Sequence, residues 1–126
     1  MPIELTELQL AIMRVLWQHG DAAVSEVHAE ALPERALALT TVATLLTRLE
    51  KAGLVARRQA GRHYRYRALV TEEEVRRSMV SGLADRLFHG DVTALVSHLL
   101  AEGDIDPGDL DRVRRLIDQK QQHKEG

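Results

Sequence analysis

The sequence contains no cysteine, few aromatic residues and no long hydrophobic run. The absence of cysteine among its 126 residues excludes disulfide bonds and thiolate metal sites. No apolar stretch approaches the roughly 20 residues that a membrane-spanning helix needs. The start of the chain, MPIELTELQL, lacks the basic and then apolar pattern of a signal peptide. We therefore expect a cytoplasmic protein with no membrane partner.

Sequence motifs of catalysis and of metal binding are also absent. The chain has no Gly-x-Ser-x-Gly, no Gly-x-x-x-x-Gly-Lys and no His-Glu-x-x-His motif. Its six histidines do not have the spacing of a metal site. We therefore expect no catalytic residue, no bound metal and no cofactor.

Charge is distributed unevenly along the chain, although the net charge is only −2. Residues 48–67 contain seven basic side chains and a single acidic one, Glu50. Beyond Ala68 the chain has twelve acidic and eight basic residues. A basic segment followed by an acidic half indicates two separate functions, the first of them binding to nucleic acid.

A helix is predicted over residues 40–52, where apolar side chains recur at helical spacing. On a wheel of about 100° per residue, its apolar residues fall within one arc of roughly 100°, the width of a buried stripe. These residues are Val42, Leu45, Leu46 and Leu49. The opposite face carries threonines and two cations but no carboxylate, which fits a groove lined with phosphates and base edges. A solvated face of poor helix formers is the alternative explanation.

Two more helices are predicted before this one. The first begins at a capping box formed by Thr6 and Gln9, and the second covers residues 24–32 and ends at Pro33. Three helices in this order are typical of a helix-turn-helix domain, whose third helix enters the major groove of DNA.

A short strand at residues 22–24 and a hairpin at residues 54–68 complete the predicted domain. The segment HYRYR alternates strictly, so Tyr64 and Tyr66 share one face of the hairpin, and Gly61 marks its tip. A basic hairpin after three helices predicts a winged helix-turn-helix. The predicted DNA contacts are Thr40, Thr41, Thr44, Thr47, Arg48, Lys51, Arg57, Arg58, Arg62, Tyr64 and Arg65.

Three further helices are predicted to begin at Thr71, Asp91 and Pro107, with frayed residues at 121–126. Their apolar stripes are too extensive for about 50 residues to bury alone, so we expect two copies to bury them jointly. The alternative is a monomer in which these helices pack on their own winged domain.

The predicted fold class is mainly α with a small β-hairpin. It comprises a winged helix-turn-helix DNA-binding domain at 1–70 and a three-helix dimerisation module at 71–126. The predicted dimer contacts are Val75, Met79, Leu83, Leu87, Phe88, Leu95, Leu99, Leu110, Val113 and Leu116.

Five segments of the chain carry a family resemblance. They are LTELQLAIMRVLW, VSEVH, TTVATLLTRLEKAGLV, GRHYRYRAL and RLFHGDVTALVSHLL. In order and spacing they resemble the penicillinase-repressor family, also called the BlaI/MecI/CopY family, over nearly the whole chain. The resemblance implies a homodimeric transcriptional repressor that binds dyads with TACA/TGTA half-sites, and genes such as those for a β-lactamase or a copper pump.

The chain departs from the family pattern at two places. The copper-responsive branch has a cysteine-rich C-terminal tail, whereas this chain has no cysteine. The β-lactam-responsive branch is inactivated by cleavage at an Asn-Phe bond, and the cleavage-equivalent pair here is His98-Leu99. The resemblance thus implies a signalling protease as a partner, but the residues at the cleavage position differ.

Two other functions stay open. One is a winged-helix regulator of the MarR type that responds to a small molecule, although such a regulator is expected to have a dimerising helix ahead of the one that starts at Thr6. The other is a winged-helix adaptor that binds only proteins, which is expected to lack the basic hairpin.

Overall fold

The computed structural model describes residues 2–103 and 105–125, which form six helices, one 3-10 turn and three short strands. These residues divide into two compact units, one ending at Leu83 and the other starting at Ala84. The predicted mainly helical fold with a small sheet is confirmed. In chain order the elements are α1 (Glu7–His19), β1 (Ala22–Ala23), α2 (Val24–Glu30), the 3-10 turn (Pro33–Arg35), α3 (Leu39–Lys51), β2 (Val55–Ala60), β3 (His63–Ala68), α4 (Glu72–Phe88), α5 (Val92–Glu102) and α6 (Pro107–Glu125).

Side-chain caps begin three of the helices where the sequence predicts them. Thr6 and Gln9 cap α1 reciprocally, with hydrogen bonds of 3.1 and 3.0 Å between each backbone N–H and the other side chain. Thr71 and Glu74 form the same box at α4, and the Asp91 side chain accepts a hydrogen bond from the first turn of α5. Each cap satisfies backbone donors that a helix leaves unpaired at its start.

The core of the first unit lies between α1, α3 and the sheet. The apolar stripe predicted for α3 is buried, with Leu45 only half-buried at its edge. The fully buried side chains of this core are Ile12, Met13, Leu16, Val27, Val42, Leu46, Leu49, Val55 and Val75. Because one side of α3 is committed to this core, its other side faces outward along its whole length.

The three strands form one antiparallel sheet in the order β1-β3-β2. The short predicted strand is present, but Val24 starts α2 instead of continuing it. In the hairpin Ala60 pairs with His63, so Gly61 and Arg62 make the turn, and Gly61 has a φ of +67° that a residue without a side chain adopts readily. The predicted hairpin and its tip are confirmed.

Two predicted helix ends are wrong. The second helix ends at Glu30 and not at residue 32, and Leu32 is left-handed with a φ of +46°. A proline at position 33 disfavours the helical conformation of the residue before it. The last helix runs to Glu125, although fraying was predicted from residue 121. Glutamine and lysine are good helix formers, and no glycine or proline precedes residue 126 in that stretch.

The first half of α4 belongs to the winged-helix core. Val75 is fully buried there, and Met79 packs against the same cluster. Two hydrogen bonds hold this region: the Ile3 N–H donates to Ser78 Oγ at 2.7 Å, and Trp17 Nε1 donates to the Val70 carbonyl at 2.9 Å. The first compact unit therefore extends past residue 70, and the functional division at 70/71 stays a prediction.

The second unit buries little of its apolar surface. Among its described residues, only Ala84 and Leu95 are buried hydrophobic side chains. No helix within residues 2–103 and 105–125 is long and apolar enough to cross a membrane. The exposed large hydrophobic side chains of this unit are Leu87, Val92, Val96, Leu99, Leu100, Leu110, Leu116 and Ile117.

Two leucines of α3 offer a matched test of this packing. Leu46 is 0% exposed and Leu39 is 50% exposed. Leu46→Ala should lower the free energy of unfolding by about 2–5 kcal/mol, because it removes a buried side chain and leaves a cavity. Leu39→Ala should change it by no more than about 0.5 kcal/mol. Urea denaturation of both variants measures the difference, and equal losses would mean that α3 does not bury this face.

Candidate nucleic-acid interface

The outward face of α3 is free of carboxylates. Its four threonines and two cations are all exposed, and a shallow hollow is lined by part of them together with Leu45. Glu50 is half-buried and is turned toward the hairpin instead. The face consists of Thr40, Thr41, Thr44, Thr47, Arg48 and Lys51. The structure thus brings together all the residues that the sequence predicts for the helical part of the interface.

Two details of this helix go beyond the sequence. The Thr47 hydroxyl donates a hydrogen bond of 3.0 Å to the carbonyl of Ala43, one turn earlier, so its proton is already used. Leu39, the first residue of α3, is exposed at the same end as Thr40 and was not predicted as a contact. An exposed apolar side chain beside hydroxyls can contact a thymine methyl group.

One face of the hairpin holds Arg57 between an acid and an aromatic ring. Its Nε lies 3.2 Å from Glu50 Oε2, and its guanidinium carbon lies 4.3 Å from the centre of the Tyr64 ring. The Glu50 carboxylate raises the pKa of Arg57. Tyr66, which pairs with Arg57 across the strands, is buried in the core. This face therefore ties the hairpin to the end of α3.

The other face of the hairpin holds an ion-pair network around Asp21. Asp21 Oδ2 accepts from Arg58 at 3.0 Å, and Oδ1 accepts from Arg65 Nε at 3.0 Å and from its Nη2 at 2.9 Å. Glu26 Oε1 accepts from Arg65 Nη1 at 2.8 Å. Hydrogen bonds from Arg65 and then from Arg58 lower the pKa of the Asp21 carboxyl. The Ala23 backbone N–H and then Arg65 lower the pKa of Glu26.

Sequence inspection missed the two acids of this network. Arg65 was predicted as a DNA contact, but its partners Asp21 and Glu26 lie 44 and 39 residues earlier in the chain. No local spacing connects residues so far apart. Only the sheet order, which places β1 beside β3, brings them together.

Four basic residues of the region have no such partner. Within residues 2–103 and 105–125, no ion pair involves Arg48, Lys51, Arg62 or Arg67. The first two lie on α3 and Arg62 is at the hairpin tip. In this region, the cations that have no ion pair among the described residues therefore lie on α3 and on the hairpin.

The predicted dimer contacts lie in different environments. Val75 is buried in the core of the first unit, and the half-buried Met79 packs against that core. Leu95 is buried, and Phe88 and Val113 are half-buried in the second unit. The remaining predicted contacts are exposed; they are Leu83, Leu87, Leu99, Leu110 and Leu116.

The cleavage-equivalent pair, His98-Leu99, lies inside α5 with both side chains exposed. The ring of His98 is 5.9 Å from the ring of Phe88, centre to centre.

Comparison with known proteins identifies the family. A family model described as penicillinase repressor matches residues 5–119. The transcriptional regulator BlaI of Mycobacterium tuberculosis is 33% identical over 115 residues, which is 90% of this chain and 82% of that protein. This chain belongs to the penicillinase repressor family. The methicillin resistance regulatory protein MecI of Staphylococcus aureus strain N315 is 20% identical over 117 residues, 93% of this chain and 95% of that protein.

Solved structures of repressors from this family have the same N-terminal fold. The DNA-binding domain of the repressor BlaI matches with a TM-score of 0.51 and 27% identity, over 56% of this chain and 87% of that chain. Bacillus licheniformis BlaI, solved as a monomer with the blaP half-operator, matches with a TM-score of 0.50 and 26% identity, over 59% and 90%. The predicted winged helix and the predicted family are confirmed, and these similarities support a DNA-binding repressor.

Acid should weaken the sheet through Asp21. The pKa of Asp21 in the folded chain lies below its ordinary value of 3.8, so this carboxylate stabilises the fold above that pH. The stabilisation is lost as the pH falls through the lowered pKa. Asp21→Asn should therefore be less stable than the natural chain at neutral pH and lose less stability on acidification. Urea denaturation between about pH 2 and pH 7 measures both curves, and parallel curves would contradict the role of Asp21.

Proposed function

We propose that this chain is a homodimeric transcriptional repressor that binds a two-fold-symmetric operator through α3 and the hairpin tip. The observation that carries the proposal is the outward face of α3, where threonines and cations stand without a carboxylate. The half-sites are of the TACA/TGTA type, as family membership implies.

The chemistry of α3 suits the major groove of DNA. Threonine side chains are short, so the helix backbone can come close to the bases. The hydroxyls of Thr40, Thr41 and Thr44 bond to phosphates or base edges, and the threonine methyl groups contact thymine. Arg48 is long enough to bond a guanine edge or a phosphate, and Lys51 lies one turn farther along the same face. The hairpin tip then lies over the backbone or an adjacent minor groove, where Arg62 meets a phosphate.

Binding to the operator should depend strongly on salt. If each protomer neutralises about three to five phosphates, the slope of log affinity against log salt should lie near −5 to −9 for a dimer. Titration of a labelled two-fold-symmetric duplex at several salt concentrations gives this slope. A slope flatter than about −2 would show that the basic residues do not neutralise phosphates in the complex.

The helix and the hairpin tip should contribute differently to sequence preference. Thr44→Ala and Arg48→Ala should each reduce discrimination between base sequences by about 1–3 kcal/mol, because they remove base contacts. Arg62→Ala should weaken binding to all sequences alike, because it removes a phosphate contact. Arg77 is an exposed cation on α4 that pairs with Glu73. Arg77→Ala therefore serves as the control and should change neither sequence preference nor affinity. Unchanged preference in both α3 variants would show that this face does not read bases.

Dimerisation is proposed from the exposed apolar surface of the second unit. Leu87, Leu99 and Leu116 are 65%, 56% and 62% exposed in the single chain. A soluble protein rarely leaves such a set of large side chains in contact with water, and each side chain contributes about 1.5–3 kcal/mol when fully buried. A second copy buries the same stripes by symmetry. The dimer then presents two copies of α3 about one DNA turn apart.

Sedimentation at micromolar concentration tests this proposal. The natural chain should sediment as a dimer of the 14.1 kDa chain. Leu99→Asp should shift it toward the monomer, because a charge in the interface costs free energy, and should lower operator affinity as well. Leu69→Asp, at a similarly exposed leucine outside the second unit, is the control and should leave the dimer intact. A natural chain that remains a monomer would refute the two-fold operator model.

Release from the operator is proposed to act on the second unit, by an inducing signal such as antibiotic-linked proteolysis. The cleavage-equivalent pair, His98 and Leu99, has exposed side chains but lies inside a helix. A peptide bond in the middle of a helix is held by backbone hydrogen bonds on both sides. A signalling protease would therefore have to unwind α5 before it could cut there.

A further inference from the structure

The hairpin places two like charges directly opposite each other. Arg58 of β2 pairs with Arg65 of β3 in the strand register. Like charges at directly opposed positions destabilise a strand pair. The two oxygens of Asp21 are shared between these arginines, one oxygen for each. Asp21 therefore converts a repulsive cross-strand pair into an attractive bridge.

Arg65 connects this bridge to a second element. Its guanidinium also reaches Glu26 in the first turn of α2, and Glu26 in turn accepts the Ala23 backbone N–H at 3.1 Å. The Arg65 side chain is 30% exposed, against 60% for Arg58. A planar guanidinium holds two carboxylates in fixed directions, which an ammonium does not. Strand β3, and with it the hairpin, is thus tied to the segment between α1 and α2.

The ion-pair network around Asp21 has no net charge and therefore does not attract the DNA backbone through a net positive charge. Its two acids, Asp21 and Glu26, balance its two arginines, Arg58 and Arg65. A carboxylate close to a phosphate backbone repels it and weakens binding, unless its charge is balanced by neighbouring cations. In the part of the chain that the structure describes, the hairpin residues that remain free to neutralise phosphates are Arg62 and Arg67.

We propose that Asp21 and Arg65 are positioning residues for DNA binding: their ion pair fixes the hairpin so that Arg62 at its tip meets a phosphate, and Arg65 itself touches no DNA. This inference rests on the proposed function, because it assigns roles within the same interface. Of the predicted hairpin contacts, it assigns Arg62 to the DNA backbone and Arg65 to holding the hairpin in place.

A double-mutant cycle between Asp21 and Arg62 tests the inference. Arg62→Ala removes one phosphate contact per protomer, which should make the salt slope shallower by about 1.8 per dimer and weaken binding about 30-fold near 0.15 M salt. Asp21→Asn should also make the salt slope shallower and weaken binding, by at most the same amounts, because the hairpin tip is no longer held in position. The double variant should bind no more weakly than Arg62→Ala alone. Circular dichroism at the assay temperature confirms that each variant is folded.

Arg65→Lys separates position from charge. It keeps the positive charge but cannot hold Asp21 and Glu26 together, so it should weaken binding about as much as Asp21→Asn. If Arg65 contacted a phosphate only as a charge, the lysine variant would bind like the natural chain. Glu73→Gln removes a carboxylate from an exposed ion pair on α4 and should leave affinity and slope unchanged.

Three results would overturn the inference. The first is tighter binding by Asp21→Asn, which would mean that this acid only repels phosphates. The second is a loss of affinity in the double variant equal to the product of the two single-variant fold losses, which would mean that Asp21 and Arg62 act independently. The third is natural affinity in Arg65→Lys. Failure of the proposed function is distinguishable from these, because the natural chain itself would then show no salt-dependent binding to the duplex.

Discussion

Burial of one side of α3 is the constraint on which the rest of the structure depends. Val42, Leu46 and Leu49 are almost completely excluded from water, and each contributes about 1.5–3 kcal/mol when buried. Rotating the helix by one residue, about 100°, would bring these side chains out of the core. The orientation of the threonine face is therefore fixed by the core. Side chains on that face are exposed and lie outside the core, so the proposed recognition of DNA and the stability of the fold depend on different residues of this helix.

Local signals predicted most of the elements, and long-range pairing explains most of what they missed. The caps at Thr6, Thr71 and Asp91 depend on residues three positions apart, which the sequence displays directly. Pro33 disfavours the helical conformation at Leu32, yet the apolar periodicity extended the predicted helix to that residue. The ion pair between Asp21 and Arg65 depends on the sheet order, which no spacing in the sequence reveals.

The same long-range pairs change the meaning of the basic segment. From the sequence, residues 48–67 have seven bases and one acid, and every arginine there except Arg67 is predicted to contact DNA. In the fold, Arg57, Arg58 and Arg65 each have a carboxylate partner. Pairing keeps these side chains charged but lowers the net field around them. The charge available to phosphates is therefore smaller and more localised than the sequence count indicates, which favours a defined contact over a general attraction.

The helix α4 links the two functions proposed for this chain, reading DNA and forming a dimer. Its residues Val75 and Met79 help to build the winged-helix core, while Leu87 near its end is exposed. One continuous helix thus contributes to the domain that carries α3 and to the apolar surface proposed for dimerisation. In the proposed dimer, loss of the partner protomer would expose that surface again without removing Val75 from its core. On the proposed model, a signal that separates the protomers would end operator binding while each winged domain stays folded, because affinity for a two-fold operator requires both copies of α3 together.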